Sequence, residues 1–435
     1  MGTRVLLIVM LASAVAKAQV APPATGTKQM ETPPPVNGAN FPTQVAVQER
    51  SNFLSAGLVY STAYVSNLYA GSAGPSIAEK SFSIMPTIVF DDTARRRHMA
   101  FTYSPGFTFY EPSTALNEVD HTAKVDYEFR ITPYVKVRVY EQLDDSSTSF
   151  NPADPGGSVS GSPVSSTPGA IPPFAKRLTN SANGELTLQT GPNTMIGASG
   201  SSTVLHYPNP AQTPGLYDSN SRGGTVFYNH RISIAQYFGV SYQYQDMLTY
   251  PKNGTDSTQT HTPMGYYTLY PSKRLSLSVS AGPQHYQVAE SPLPATSQWG
   301  PFVTPSLGWH GNRTNIAASY SQAVTGGGGL LGAFHTKNAN ATARWQMSRT
   351  WTASGSGAYS IIKSVSTYSA GSGQDGNTVT ATATLERSIR DHFTLAFNYV
   401  HVRQSYGGIA AISANPNSDR GTISINWHFT RPLGK

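Results

Sequence analysis

The chain contains no cysteine, so disulfides and thiolate metal sites are excluded, and so is a lipid-anchored lipoprotein. Charge is scarce as well: Asp, Glu, Lys and Arg make up only 12% of 435 residues, about half the usual soluble share. Beyond the N-terminus no window holds 18 consecutive apolar residues, which rules out crossing a membrane by helices. Bases exceed acids by 30 to 23, for a net charge of +7 and a pI near 9.3. The basic residues are spread along the chain and form no single patch, so nucleic acid is not an expected partner.

What is present is aromatic residues at 11%, with 24 tyrosines, 39 glycines and a mean hydropathy of −0.30. At the N-terminus Arg4 precedes the largely apolar run Val5–Ala16, and Ala16-Lys17-Ala18 ends in the small-x-small pattern of a signal-peptide cleavage site. The run is shorter than the roughly 20 residues a spanning helix needs. Residues 1–18 are therefore expected to be a signal peptide. Its removal takes Arg4 and Lys17 and no acid, lowering the net charge from +7 to +5. Residues 19–51, with Pro33-Pro34-Pro35 and few large apolar residues, predict a Pro-rich periplasmic lead-in.

From residue 52 onward the pattern changes to period two. In Val119–Ile131 the odd positions, His121 apart, are apolar or aromatic; the even ones are Asp120, Thr122, Lys124, Asp126, Glu128 and Arg130. A strand sends alternate side chains to opposite faces, so one face is oily and the other charged. About sixteen such segments recur, near 52–66, 81–91, 97–111, 117–131, 135–147, 223–233, 236–249, 260–270, 274–288, 297–310, 314–326, 335–348, 351–364, 377–389, 391–404 and 419–431. The segments at 260–270 and 314–326 are weak, which leaves a range of 14–18. Short and long connections alternate, apart from a short link near 112–116, as they do in a barrel with short periplasmic turns and long outer loops. The expected fold is all-β: a transmembrane antiparallel β-barrel over 52–431, with both termini periplasmic and a long third outer loop at 148–222.

Four of five tryptophans fall near short turns or the C-terminal end: Trp309, Trp345, Trp351 and Trp427, which predicts an aromatic girdle at the membrane boundary. Trp299 falls at the other end of its strand. If Thr132-Pro133-Tyr134 is a turn, Arg130 faces Lys136, Glu128 faces Arg138, Asp126 faces Tyr140 and Lys124 faces Gln142. A Lys or Arg at the bilayer midplane costs about 2–4 kcal/mol, so this charged face must be the lumen. The expected pore lining is Lys124, Asp126, Glu128, Arg130, Lys136, Arg138, Arg231 and Arg344, in which bases outnumber acids, a bias toward anions. A paired-charge wall that only stiffens the barrel is the alternative.

No catalytic set is evident. His230, His261, His285, His310 and His401 are scattered, and Gly326–Gly329 precedes no Lys-Ser, so no enzyme, cofactor or metal is expected. In architecture the region 52–431 resembles general porins, sixteen-stranded channels whose third outer loop folds into the pore. That resemblance implies passive passage of small polar or anionic solutes. This loop holds only Asp154, Glu185 and Asp218 as acids, and six residues trail Phe429, both departures from the family. The expected partners are outer-membrane lipid, the barrel-assembly machinery and small solutes. Two other functions fit the same strands: an export or assembly barrel, for example for a polysaccharide, and a structural or adhesive barrel with a closed lumen.

Overall fold

The computed structural model describes residues 52–68, 77–148, 174–212, 215–251, 254–272, 274–290, 294–326, 329–365, 375–390, 392–407 and 417–432. The expected signal peptide, the lead-in and residues 149–173 of the expected long loop lie outside them. The described residues form eighteen strands: β1 (Phe53–Val65), β2 (Glu79–Thr93), β3 (Arg97–Glu111), β4 (Glu118–Arg130), β5 (Val135–Thr148), β6 (Phe174–Gly191), β7 (Thr194–His206), β8 (Ser219–Ser233), β9 (Gln236–Thr249), β10 (Asp256–Ser272), β11 (Leu275–Ala289), β12 (Thr296–His310), β13 (Thr314–Gly326), β14 (Ala333–Gln346), β15 (Trp351–Ser364), β16 (Gly376–Arg390), β17 (Phe393–Tyr406) and β18 (Asn417–Pro432). Each pairs antiparallel with its neighbours in sequence, and β1 pairs with β18 from Phe53↔Pro432 to Val65↔Arg420. The sheet is therefore a closed ring.

The count corrects the expected sixteen, and the reason is local. The supposed loop at 148–222 contains β6 and β7, turned at Pro192-Asn193, together with the start of β8. Their outward positions include Asn180, Ala182, Gly184, Ala198, Gly200 and Ser202, and their inward ones Thr179, Ser181, Ser199 and Ser201. With small or polar residues on much of both faces the alternation is faint, marked mainly by outward Leu178, Leu186, Leu188, Ile196 and Val204. The other sixteen strands sit where the alternation predicts them. With eighteen strands short and long connections alternate without a break, the 112–117 link containing a 3₁₀ turn at Thr114–Leu116. Both described ends of the barrel lie at the rim of short turns.

Burial is reversed relative to a soluble sheet protein. Tyr64, Ile88, Val226 and Ile425 face outward at 53, 49, 54 and 47% exposure, whereas inward Thr260, Thr268 and Ser280 are almost fully covered. No helix among the described residues is long and apolar enough to cross a membrane.

Rings fill the gaps left by inward glycines. A Cβ on Gly197 would lie 2.3 Å from the Phe227 ring, and one on Gly239 2.2 Å from the Tyr266 ring; one on outward Gly184 would meet nothing within 4 Å. Gly197→Leu and Gly239→Leu should each cost about 1–3 kcal/mol through overpacking. Gly184→Leu should leave thermal unfolding of the purified barrel unchanged. Equal losses at all three positions would contradict this packing.

Candidate functional site

Charge inside the barrel is concentrated on β4–β6. The β4–β5 register pairs Arg130 with Lys136, Glu128 with Arg138, Asp126 with Tyr140 and Lys124 with Gln142, the arrangement the turn at 132–134 predicts. Two ion pairs run diagonally across it, and a third joins Glu128 to Arg130 along β4. Arg138 donates two bonds to Asp126, from Nε at 2.9 Å and from Nη2 at 2.6 Å. Glu128 lies 3.5 Å from Arg130 and 3.8 Å from Lys136. A hydrogen-bond relay continues upward to a further carboxylate: Tyr140 donates to Gln142 at 2.6 Å, and Gln142 and Thr122 both donate to Asp144 at 2.6 and 3.0 Å.

Sequence spacing missed part of this wall. Glu185, assigned to a loop, sits on β6 directly across from Arg138, and Arg177 shares its inward face. On β4–β6 the inward acids are Glu118, Asp120, Asp126, Glu128, Asp144 and Glu185, against Lys124, Arg130, Lys136, Arg138 and Arg177. The expected basic excess is therefore absent from this wall. The two remaining pore-lining candidates lie apart from it. Arg231 has inward parity, but its guanidinium is spent on the β6–β7 turn, bonding Asn193 Oδ1 at 2.7 Å and the Pro192 carbonyl at 3.1 Å. Arg344 faces inward near the short-turn end of β14, across from Asn315 and Ser354. The rest of the lining is mostly hydroxyl and amide, such as Ser278 and Ser280 on β11, Asn338 and Asn340 on β14, and Thr378 and Thr380 on β16.

The tryptophans all lie near strand ends. Trp309, Trp345 and Trp427 face outward, and Trp351, beside a short turn, carries the Arg387 guanidinium 5.3 Å from its ring centroid. Trp299 is outward at the opposite rim.

That opposite rim is bridged. β12 and β13 pair only as far as Val303↔Gln322; continuing the register would set Val324 across from Pro301, which has no N–H to give. There β13 leaves the wall. Val324 N–H donates instead to Gln284 Oε1 at 2.6 Å, and Gln284 Nε2 donates to the Val324 carbonyl at 3.0 Å, from the inward face of β11. Gly326 N–H points to the Met247 sulfur at 2.8 Å. The chain after it buries Leu330 and Phe334 with Tyr207 and Leu216 of the β7–β8 connection, Ile362 of β15 and Tyr406 of β17. Tyr217 N–H bonds the Gly329 carbonyl at 2.8 Å. Gly329 has φ +104° and a Cβ there would lie 3.1 Å from the Tyr207 hydroxyl, so glycine is required.

Strands β7 and β8 stand almost opposite β15–β17 in a ring of eighteen. A circular wall of that size is roughly 36 Å across at ~4.8 Å spacing and ~40° tilt, so the apolar cluster joins two far sides of the mouth. It leaves the charged wall of β4–β6 on one flank. Of the expected third outer loop, 148–222, the described residues 207–212 and 215–218 form one foot of this bridge, and the arm comes from β13–β14.

No family model matches the chain, and no curated protein matches it. Among solved structures it is similar to OccAB4 of Acinetobacter baumannii, at 8% identity and a TM-score of 0.45, covering 90% of this chain and 100% of that one. It is also similar to the FrpB iron transporter of Neisseria meningitidis (9%, 0.45, 87% of this chain and 81% of that one) and to the outer membrane protein OpdK of Pseudomonas aeruginosa (8%, 0.43, 87% and 99%). At such identities and scores the likeness adds nothing to what the barrel shows, and function has to be read from this chain's own residues.

Removing one member of a partly buried ion pair leaves the other without compensation. Asp126→Asn should therefore destabilise the barrel by about 1–3 kcal/mol, and adding Arg138→Gln should recover part of it. Strict additivity in a double-mutant cycle would show that this pair does not stabilise the wall.

Proposed function

We propose that this chain is an outer-membrane β-barrel acting as a passive channel for small polar solutes, with its short turns and both ends of the barrel at the periplasmic face. The observation that carries the reading is the reversed burial: an outward belt of half-exposed Leu, Ile, Val, Phe and Tyr around an inward face of hydroxyl, amide and charged groups. A wall of that polarity suits hydrocarbon outside and water inside. Solute travels down the flank lined by β4–β6, where the bridge does not reach. There the Arg138–Asp126 and Lys136–Glu128 pairs present both signs to it.

Selectivity tests this path. Lys136→Glu with Arg138→Glu should shift the reversal potential of single channels in planar bilayers toward cations, and an unchanged potential would remove this wall from the solute's route. The bridged mouth also favours a second reading, a structural or adhesive barrel with a closed lumen. Gln284→Ala, or Leu330→Asp, should loosen the bridge and raise unitary conductance by about twofold in a wide barrel whose mouth is the narrow point. Absence of open-channel current from wild type and both variants would sink the channel reading and leave the closed barrel.

A further inference from the structure

The outward face of β8–β12, at the rim away from the short turns, carries a two-storey arrangement that solute passage does not use. The lower storey is a row of rings on four adjacent strands in register: Tyr244↔His261, His261↔His285 and His285↔Trp299. Their centroids are 5.1, 6.1 and 4.9 Å apart, and Tyr242 joins from below, its hydroxyl 2.6 Å from His261 Nδ1. Trp299 is 67% exposed. The upper storey, two residues nearer the rim, is polar: Arg222↔Asp246, Asp246↔Gln259, Gln259↔Gln287.

Three features separate this patch from an ordinary interfacial girdle. First, the planar polar groups above the rings are idle. Asp246 Oδ1 is buried with no hydrogen-bond partner, and among the described residues Arg222 makes no ion pair and the Gln259 and Gln287 carboxamides no hydrogen bond. Second, two of the four rings are imidazoles, with polar nitrogens that hydrocarbon would leave unsatisfied. Third, the wall beneath continues as a smooth apolar strip: Pro263, Pro283 and Pro301 at one level, with Val240 and Val279 outward nearby.

Flat rings beside carboxylate, carboxamide and guanidinium groups match a sugar, whose C–H faces pack on aromatic surface and whose vicinal hydroxyls both donate and accept. The apolar strip directly below matches acyl chains. We propose that this face holds the saccharide headgroup of a membrane glycolipid, with its acyl chains along the proline strip. The assignment to the outer leaflet rests on the orientation given under the proposed function; the chemistry of the site does not.

The test uses the purified full barrel in detergent, titrated with a diacyl glycolipid bearing a disaccharide headgroup and with phosphatidylcholine of the same chains, and read by native mass spectrometry. Wild type should retain the glycolipid about five- to tenfold more tightly, the range that one or two ring contacts supply. Trp299→Ala with Gln287→Ala should bring it to the phosphatidylcholine level, while heat-modifiable gel mobility and conductance stay at wild-type values because both side chains face outward. Equal retention of the two lipids by wild type, or undiminished preference in the variant, overturns the site. Displacement of the glycolipid by the free disaccharide at equal concentration overturns the lipid assignment. Loss of conductance in wild type would count against the channel reading alone, since binding in detergent needs neither a pore nor an orientation.

Discussion

Everything in this molecule hangs on closing the ring of backbone hydrogen bonds. An open edge of β1 or β18 would present a row of unpaired N–H and C=O groups, and in hydrocarbon each costs several kcal/mol. The pairing from Phe53↔Pro432 to Val65↔Arg420 removes that edge. Closure in turn fixes which face each residue occupies, because a one-residue slip anywhere would turn apolar side chains inward. The polarity of the wall follows from that register and not from any local propensity.

Closure also explains where polarity collects. Charges kept out of the apolar belt gather at its edges and inside, where they are better tolerated in pairs. The diagonal contacts of Asp126 with Arg138 and of Glu128 with Lys136 are the result, with Glu185 brought to the same wall by β6. A lining built this way screens its own charge, so the field inside the barrel depends on small imbalances at individual positions.

Much of this was legible from the order of residues alone. Sixteen strands, the β4–β5 register and the charged face could be read because Val, Tyr and Phe alternate there with Lys, Asp and Glu. β6 and β7 were not legible: Gly184, Gly200 and Ser202 outward, and Ser181 and Ser199 inward, give both faces nearly the same hydropathy. Their clearest signal was Leu186 and Leu188 before the Gly191-Pro192-Asn193 turn, with Ile196 after it. Arg231 shows a different limit. Parity gave its face correctly, yet only the three-dimensional turn shows its guanidinium engaged by Asn193. The inward departure of β13 was hidden for a related reason, since it depends on Pro301 in another strand and on Gln284 in a third.

That departure links wall and mouth. A strand that loses its ladder partner beside a proline must satisfy its backbone elsewhere, and Gln284 offers both a donor and an acceptor at the right place. Once Val324 is held there, the β13–β14 arm points across the lumen and its apolar tip needs cover, which Tyr207, Leu216, Ile362 and Tyr406 supply. The arm's position leaves one flank of the mouth to β1–β6, and that flank bears the paired charges. A proline in β12 thus decides which part of the lining the bridge leaves uncovered, although it touches neither the charges nor the tip of the bridge.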